Sequence, residues 1–165
     1  MLISVLTASD RCSRGEAEDR SGPLIPEILK DTAALLDYSV TADEKELISA
    51  ELIRMCENGA DIIFTTGGTG FAPRDVTPEA TKDVIEKEVP GIAEAIRMKS
   101  LEITPMAMLS RAVSGIRGKT LIINLPGSPK AVREALEIIL PVLPHAVETL
   151  SGTTLNCGGD YGKNG

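Results

Sequence analysis

The run Asp61-Ile62-Ile63-Phe64-Thr65 restricts the fold more than any other feature, because its side chains barely alternate between apolar and polar. A strand with one face in water alternates. A strand covered on both faces reads as a continuous apolar run, which is the habit of a parallel sheet. Parallel strands need crossovers, usually helical, and the rest of the chain supplies them. Residues 2–7 form a second apolar, β-rich run that meets the polar Ser9-Asp10-Arg11. Gly22-Pro23 predicts the start of a helix with Leu24, Ile25, Ile28, Leu29, Leu35 and Leu36 on its apolar side, and a short strand follows at 38–41. Asp43, with Glu46 three residues on, resembles a capping pair and predicts a second helix with Leu47, Ala50, Ile53 and Met55 turned inward. Thr77-Pro78 and Ser128-Pro129 repeat one device, an N-cap followed by proline at the first helical position. They predict helices to about residue 87 and through Val132, Leu136, Ile139 and Leu140. A helix over 92–103, a hairpin turning at Arg117-Gly118-Lys119 and a last helix near Leu150 complete the pattern. Strands alternating with helices predict an α/β sandwich, mostly parallel, with one antiparallel strand from the hairpin. One domain is expected over residues 1–151, and the Gly- and Asn-rich stretch 152–165 reads as a flexible C-terminal tail.

Composition excludes several functions. A chain of 165 residues builds a core without disulfides or a structural metal. With two Tyr, two Phe and no Trp, the core must be aliphatic, and an aromatic platform for stacking bases is not available. The net charge of −7 argues against binding nucleic acid or an anionic membrane, while leaving room for a small anion in one locally basic pocket. The three cysteines, Cys12, Cys56 and Cys157, are widely spaced and form no CxxC, which suits a reducing, cytoplasmic compartment and no zinc site. His145 is the only histidine and reads as structural, so a Ser-His-Asp triad has little to draw on. The N-terminus lacks the basic region of a signal peptide, and Pro141 and Pro144 break the longest late apolar run.

In an open α/β sheet, ligands sit outside the carboxyl ends of the strands. Four segments fall there: Ser9-Asp10, Asp43, Thr66-Gly67-Gly68-Thr69-Gly70 and Asn124-Leu125-Pro126-Gly127-Ser128. Consecutive glycines after a strand let backbone N–H groups approach an anion with no Cβ in the way. A tight turn is the plain alternative, although a turn rarely needs three glycines in four. The dinucleotide pattern fails, because Pro73 stands where its last glycine would be. Gly118-Lys119-Thr120 is not the end of a Walker loop, since Val113 replaces the required glycine and a strand follows. Asp75 lies just before a helix start, where it is either a solvated loop carboxylate or a functional one; Asp43 is either an N-cap or its partner. Two such carboxylates beside an anion-binding loop suit a hydrated Mg²⁺ that also touches phosphate. Ser128 caps its helix or offers that helix N-terminus to a ligand. Arg111 and Lys130 are surface charge or phosphate partners. Met98, Met106 and Met108 read as core or interface filler.

The stretch Thr65-Thr66-Gly67-Gly68-Thr69-Gly70-Phe71-Ala72-Pro73-Arg74-Asp75-Val76-Thr77-Pro78-Glu79-Ala80-Thr81 resembles the signature of the MogA/MoaB family of molybdenum-cofactor proteins. Two further blocks are similar, Thr104-Pro105-Met106-Ala107-Met108-Leu109-Ser110-Arg111 and Gly118-Lys119-Thr120-Leu121-Ile122-Ile123-Asn124-Leu125-Pro126-Gly127-Ser128, as is Ala17-Glu18-Asp19-Arg20-Ser21-Gly22. The resemblance covers residues 2–150 and is closest to the family's molybdopterin adenylyltransferases. It implies a three-layer α/β sandwich, commonly trimeric, that transfers AMP from ATP to the terminal phosphate of molybdopterin with Mg²⁺ and releases pyrophosphate. It implies Asp43 and Asp75 as catalytic and metal-holding residues, and Thr66, Gly67, Gly68, Thr69 and Gly70 as the nucleotide and phosphate loop. Ser9, Asp10, Ser110, Asn124, Pro126, Gly127 and Ser128 are then expected to bind molybdopterin. The activated product would pass to a metal-insertion enzyme acting in trans. A non-catalytic pterin-binding or trimeric scaffold protein of the MoaB type is the alternative, and having both aspartates favours catalysis.

Overall fold

The computed structural model describes residues 1–153, so the tail from residue 154 onwards lies outside the described residues. The chain runs β1 (Leu2–Ala8), α1 (Asp10–Ser13), α2 (Leu24–Leu29), β2 (Ala34–Thr41), α3 (Lys45–Glu57), β3 (Ile62–Thr66) and α4 (Thr77–Val84). It continues with β4 (Lys87–Glu88), α5 (Pro90–Leu101), a 3-10 turn (Pro105–Leu109), β5 (Ser114–Arg117), β6 (Thr120–Leu125) and α6 (Pro129–Ile139). A second 3-10 turn (Leu140–Val142) leads into α7 (Leu143–Ser151).

The strands form one six-stranded sheet in the order β2-β1-β3-β6-β5-β4. β1, β2, β3 and β6 are parallel, and β5 runs antiparallel to both β6 and β4. The mostly parallel sheet with one reversed strand is therefore as expected. β3 lies in the interior, and all five of its residues are buried. Alternation along the strands divides the core in two. Ile3, Val5, Ile62, Phe64, Ile123 and Leu125 pack with α2, α5, α6 and α7. Leu6, Ile63 and Ile122 pack with Ile48, Leu52 and Met55 of α3 and with Ala80 and Val84 of α4. The sheet is thus the middle of three layers. On α6 the inward stripe Val132, Ala135, Leu136 and Ile139 has helical spacing, and the Ser128 hydroxyl accepts from the Ala131 N–H at 3.2 Å, the expected cap.

Four local expectations are corrected. Leu35 and Leu36 do not continue α2, which stops at Leu29; they lie in β2, an edge strand, where they are 46% and 40% exposed. Asp43 does not cap α3: the N-cap position is Glu44, with no side-chain bond. The inward stripe of α3 is Ile48, Leu52 and Met55, while Leu47 and Ala50 face outward. Finally, α4 begins at Thr77 with Val76 as its N-cap and ends at Val84, because the chain then turns to pair β4 with β5.

Candidate functional site

The chain leaves β1 for β2 on one side of the sheet, whereas the strands following β3 lie on the other. The loops after β1 and β3 therefore diverge and leave a crevice at the carboxyl ends of these strands, the usual ligand position in an open α/β sheet. Its walls come from the ends of β1, β2, β3 and β6. The first two ends are tied reciprocally: the Asp10 N–H donates to Asp43 Oδ2 at 2.8 Å, and the Asp43 N–H donates to Asp10 Oδ1 at 3.1 Å. This exchange is what the Asp43 carboxylate does instead of capping.

Glycines fit the loop after β3 into this space. Gly67 has φ of +91°, and a Cβ there would strike the Ala8 carbonyl oxygen. Gly68 has φ of +61°; a Cβ there would collide with the Thr77 hydroxyl and stand 3.3 Å from Asp43 Oδ1. At Gly70 a Cβ would sit 2.8 Å from Asp75 Oδ2. Each aspartate thus faces a glycine, and the two feel one another's charge. Burial pushes the Asp43 carboxyl above its ordinary pKa, and the nearby Asp10 and Asp75 charges add to this, partly offset by the Asp10 N–H and Arg74. Asp10 goes the other way: Arg74 donates to both its oxygens, at 2.8 and 3.0 Å, and holds its carboxyl low despite some desolvation.

Among the described residues no group of three or more His, Cys, Asp or Glu could cage a metal. Asp43 and Asp75 instead suit a cation that takes one or two carboxylates and completes its shell with water and phosphate, as Mg²⁺ does. Burial is the main cause of the upward shift at Asp43, and a cation there would relieve the smaller part that comes from the Asp10 and Asp75 charges.

Two chambers adjoin the glycine loop. One, of about 300 Å³, is lined by Ser9, Cys12, Asp19, Ser21, Gly67 and Gly127. The other, of about 270 Å³, is lined by Thr69, Gly70, Met106, Ser110, Pro126 and Ala131, among others. Pro126 and Gly127 thus lie between them. Of the expected residues, Ser9, Thr66, Gly67, Thr69, Gly70, Ser110, Pro126 and Gly127 line a chamber, and Ser128 is exposed at the same edge. Thr66 is 1% exposed, and its hydroxyl donates to the Pro126 carbonyl at 3.0 Å.

Asn124, expected among the pterin-binding groups, is corrected. Its side chain is fully buried and turned towards α4, where Nδ2 donates to Thr65 and Thr81 Oγ1, both at 2.9 Å, and Oδ1 accepts from the Val113 N–H. An even-numbered position on β6 faces the α3–α4 layer, together with Ile122, so the alternation along the strand decides this. Lys130 is exposed and stands 3.7 Å from Glu134. His145 lies on α7, which is not among the elements that build the crevice.

Sequence reasoning missed Asp19. Its Oδ2 accepts from Thr7 Oγ1 at 2.5 Å and Tyr38 OH at 2.6 Å, and its Oδ1 accepts from the Ser21 and Gly22 N–H groups. Burial alone would raise the Asp19 pKa, but these four bonds outweigh it and hold the carboxyl low. Burial and then Asp19 itself push the Tyr38 hydroxyl up. The Asp-x-Ser-Gly spacing is a legible Asx-turn signal. Arg74 carried no such signal, because its partner Asp10 is distant in sequence.

Residues 4–145 match the family described as the probable molybdopterin binding domain. A molybdopterin adenylyltransferase of Helicobacter pylori is 51% identical over 154 residues, covering 91% of this chain and 88% of the relative. Gephyrin of Dictyostelium discoideum is 46% identical over 88% of this chain, which spans 22% of that longer protein. The crystal structure of the molybdopterin biosynthesis enzyme MoaB from Thermus thermophilus superposes with a TM-score of 0.87 at 48% identity, covering 92% of this chain and 96% of that one. A glycine loop and two carboxylates at the switch point of a three-layer sheet, within a match that spans nearly the whole described chain, place this protein in the molybdopterin-binding domain family.

Proposed function

We propose that this chain is a molybdopterin adenylyltransferase of molybdenum cofactor biosynthesis, transferring AMP from ATP to the terminal phosphate of molybdopterin and releasing pyrophosphate. The observation that carries the reading is the Asp43–Asp75 pair, each carboxylate set against a glycine of the loop after β3, beside two chambers. The 51% identity to a named adenylyltransferase supports it.

In this reaction a phosphate oxygen of molybdopterin bonds to the α-phosphorus of ATP as the bond to the β-phosphate bridge breaks. No protein nucleophile is needed. The task is positioning and charge stabilisation. Bound Mg²⁺ would neutralise developing charge on the phosphates. Asp43 and Asp75 would hold it, while the N–H groups of the Gly67-Gly68-Thr69-Gly70 loop receive phosphate. Ser9, Ser110, Pro126, Gly127 and Ser128 border the space for the pterin and its phosphate. Asn124 acts from beneath, by fixing β6 to β3 and α4.

Met98, Ile103, Met106 and Met108 are 69%, 54%, 62% and 66% exposed and lie close together in sequence around the end of α5 and the 3-10 turn. A patch of this kind suits burial between copies, and a homotrimer is the assembly proposed. The activated product would go to a metal-insertion enzyme acting in trans, in the cytoplasm. The test is pyrophosphate release from purified protein, molybdopterin, ATP and Mg²⁺. Tight molybdopterin binding without pyrophosphate release would refute the enzyme and leave a pterin-binding scaffold.

A further inference from the structure

We infer that Arg111 is a positioning residue for Asp75, a strut that fixes the carboxylate loop from the wall of the neighbouring chamber. The inference rests on the adenylyltransferase reading for its catalytic consequence, but its structural half stands alone.

The segment 71–74 is exposed throughout, and Phe71 is 67% exposed, so no core contact sets its path. Arg111 closes it at both ends. Arg111 Nε donates to the Gly70 carbonyl at 2.7 Å, and Nη2 donates to the Asp75 carbonyl. Nη1 reaches Glu79 on α4, which ties the same side chain to the first turn of that helix. The Arg111 N–H donates to the Thr69 carbonyl at 2.9 Å. Inside this clamp the loop has two short bonds of its own, Ala72 N–H to Asp75 Oδ2 at 3.1 Å and Asp75 N–H to the Ala72 carbonyl at 2.9 Å.

A guanidinium suits this task because its planar fork serves several acceptors at fixed angles, which an ammonium on a flexible stem does not. Nε, Nη1 and Nη2 each donate to a protein oxygen, so three of the five guanidinium N–H donors are committed to the clamp. Arg111 follows Ser110, which lines the second chamber, so one dipeptide borders that chamber and sets the carboxylate loop.

The experiment uses Arg111→Lys and Arg111→Gln in the full chain, with two readouts. Amide hydrogen exchange over residues 70–76 of the ligand-free protein should speed up by about tenfold or more in Arg111→Gln, with β3 and α6 unchanged. In turnover, misplacing Asp75 should lower kcat by on the order of ten- to a hundredfold and raise the half-saturating Mg²⁺ concentration. The KM for molybdopterin should stay within about twofold, because the backbone bond to Thr69 survives the substitution and keeps Ser110 in place. Arg111→Lys keeps a charge opposite Glu79 but loses the fork to Gly70 and Asp75, so it should be more stable than Arg111→Gln without recovering kcat, and it carries both readouts if the glutamine variant fails to fold. Unchanged exchange at 70–76 would overturn the clamp. A raised KM for ATP with kcat intact would make Arg111 a direct ligand and overturn the positioning role. Absence of pyrophosphate release by the unaltered protein would instead refute the adenylyltransferase reading, and the exchange result would still decide the clamp.

Discussion

Gly70→Ala tests the carboxylate pair with a single methyl group. Gly70 does not have a positive φ, so alanine meets no backbone penalty there. Its Cβ would stand 2.8 Å from Asp75 Oδ2 and 4.0 Å from Asp75 Cγ, with no other heavy atom that close. Ordinary carbon–oxygen contact needs roughly half an ångström more, so the Asp75 carboxylate must move by about that much. The movement strains one hydrogen bond, from the Ala72 N–H at 3.1 Å, in an exposed loop. The stability cost is then at most ~1 kcal/mol, a fall in Tm of about 2–4 °C for a chain of this size. Loss of catalytic geometry costs more: displacements of this scale lower rates by about ten- to a hundredfold, or ~1.4–2.7 kcal/mol of transition-state stabilisation. Pyrophosphate release, Mg²⁺ titration and thermal melting on the same preparation separate the two effects. Full turnover at unaltered Mg²⁺ demand would refute the assignment of Asp75 to the reacting phosphates.

Asp43→Asn should lower turnover about a hundredfold or more, ~2.7 kcal/mol, yet leave the ligand-free protein at least as stable at pH 7. The amide oxygen can still accept from the Asp10 N–H, and the burial that raises the Asp43 pKa no longer opposes a charge; a large fall in Tm would contradict this. Asp19 gives the pH dependence. Its pKa is lowered in the folded state, so its stabilisation is present above the unfolded value of ~3.9 and is lost as pH falls through the folded value. Asp19→Asn should therefore cost about 1–2 kcal/mol at pH 7, discounted for partial exposure, and flatten the acid limb of a stability–pH curve below ~4. For assembly, the unaltered protein should sediment as the proposed trimer at micromolar concentration, and Met106→Glu with Met108→Glu should reduce it to a monomer without unfolding the chain; a monomeric unaltered protein would refute the assembly.

The sequence by itself determined the architecture, because each of its signals is local. The run 61–65, almost without alternation, demanded a sheet covered on both faces, and proline after Ser128 fixed the start of α6. The turn at Gly118 set the one reversed strand. These follow from side-chain period and backbone sterics within a few residues. Its errors lie where distant parts compete for one residue. Leu35 and Leu36 continue a helical pattern, but an edge strand claims them, Leu35 paired with Ile3 of β1 and Leu36 at the register shift that follows. Asp43 has the chemistry of a cap, yet its carboxylate is taken by the backbone of Asp10, which only the parallel alignment of β1 and β2 brings near. Asn124 stands in a loop-facing motif, but its place on β6 turns it into the layer below. Arg74 on Asp10 and Arg111 on Gly70 and Asp75 join segments 64, 41 and 36 residues apart, respectively. No short-range pattern encodes such pairs; they exist because the sheet places its strand ends side by side, and the same register decides which carboxylates face the crevice.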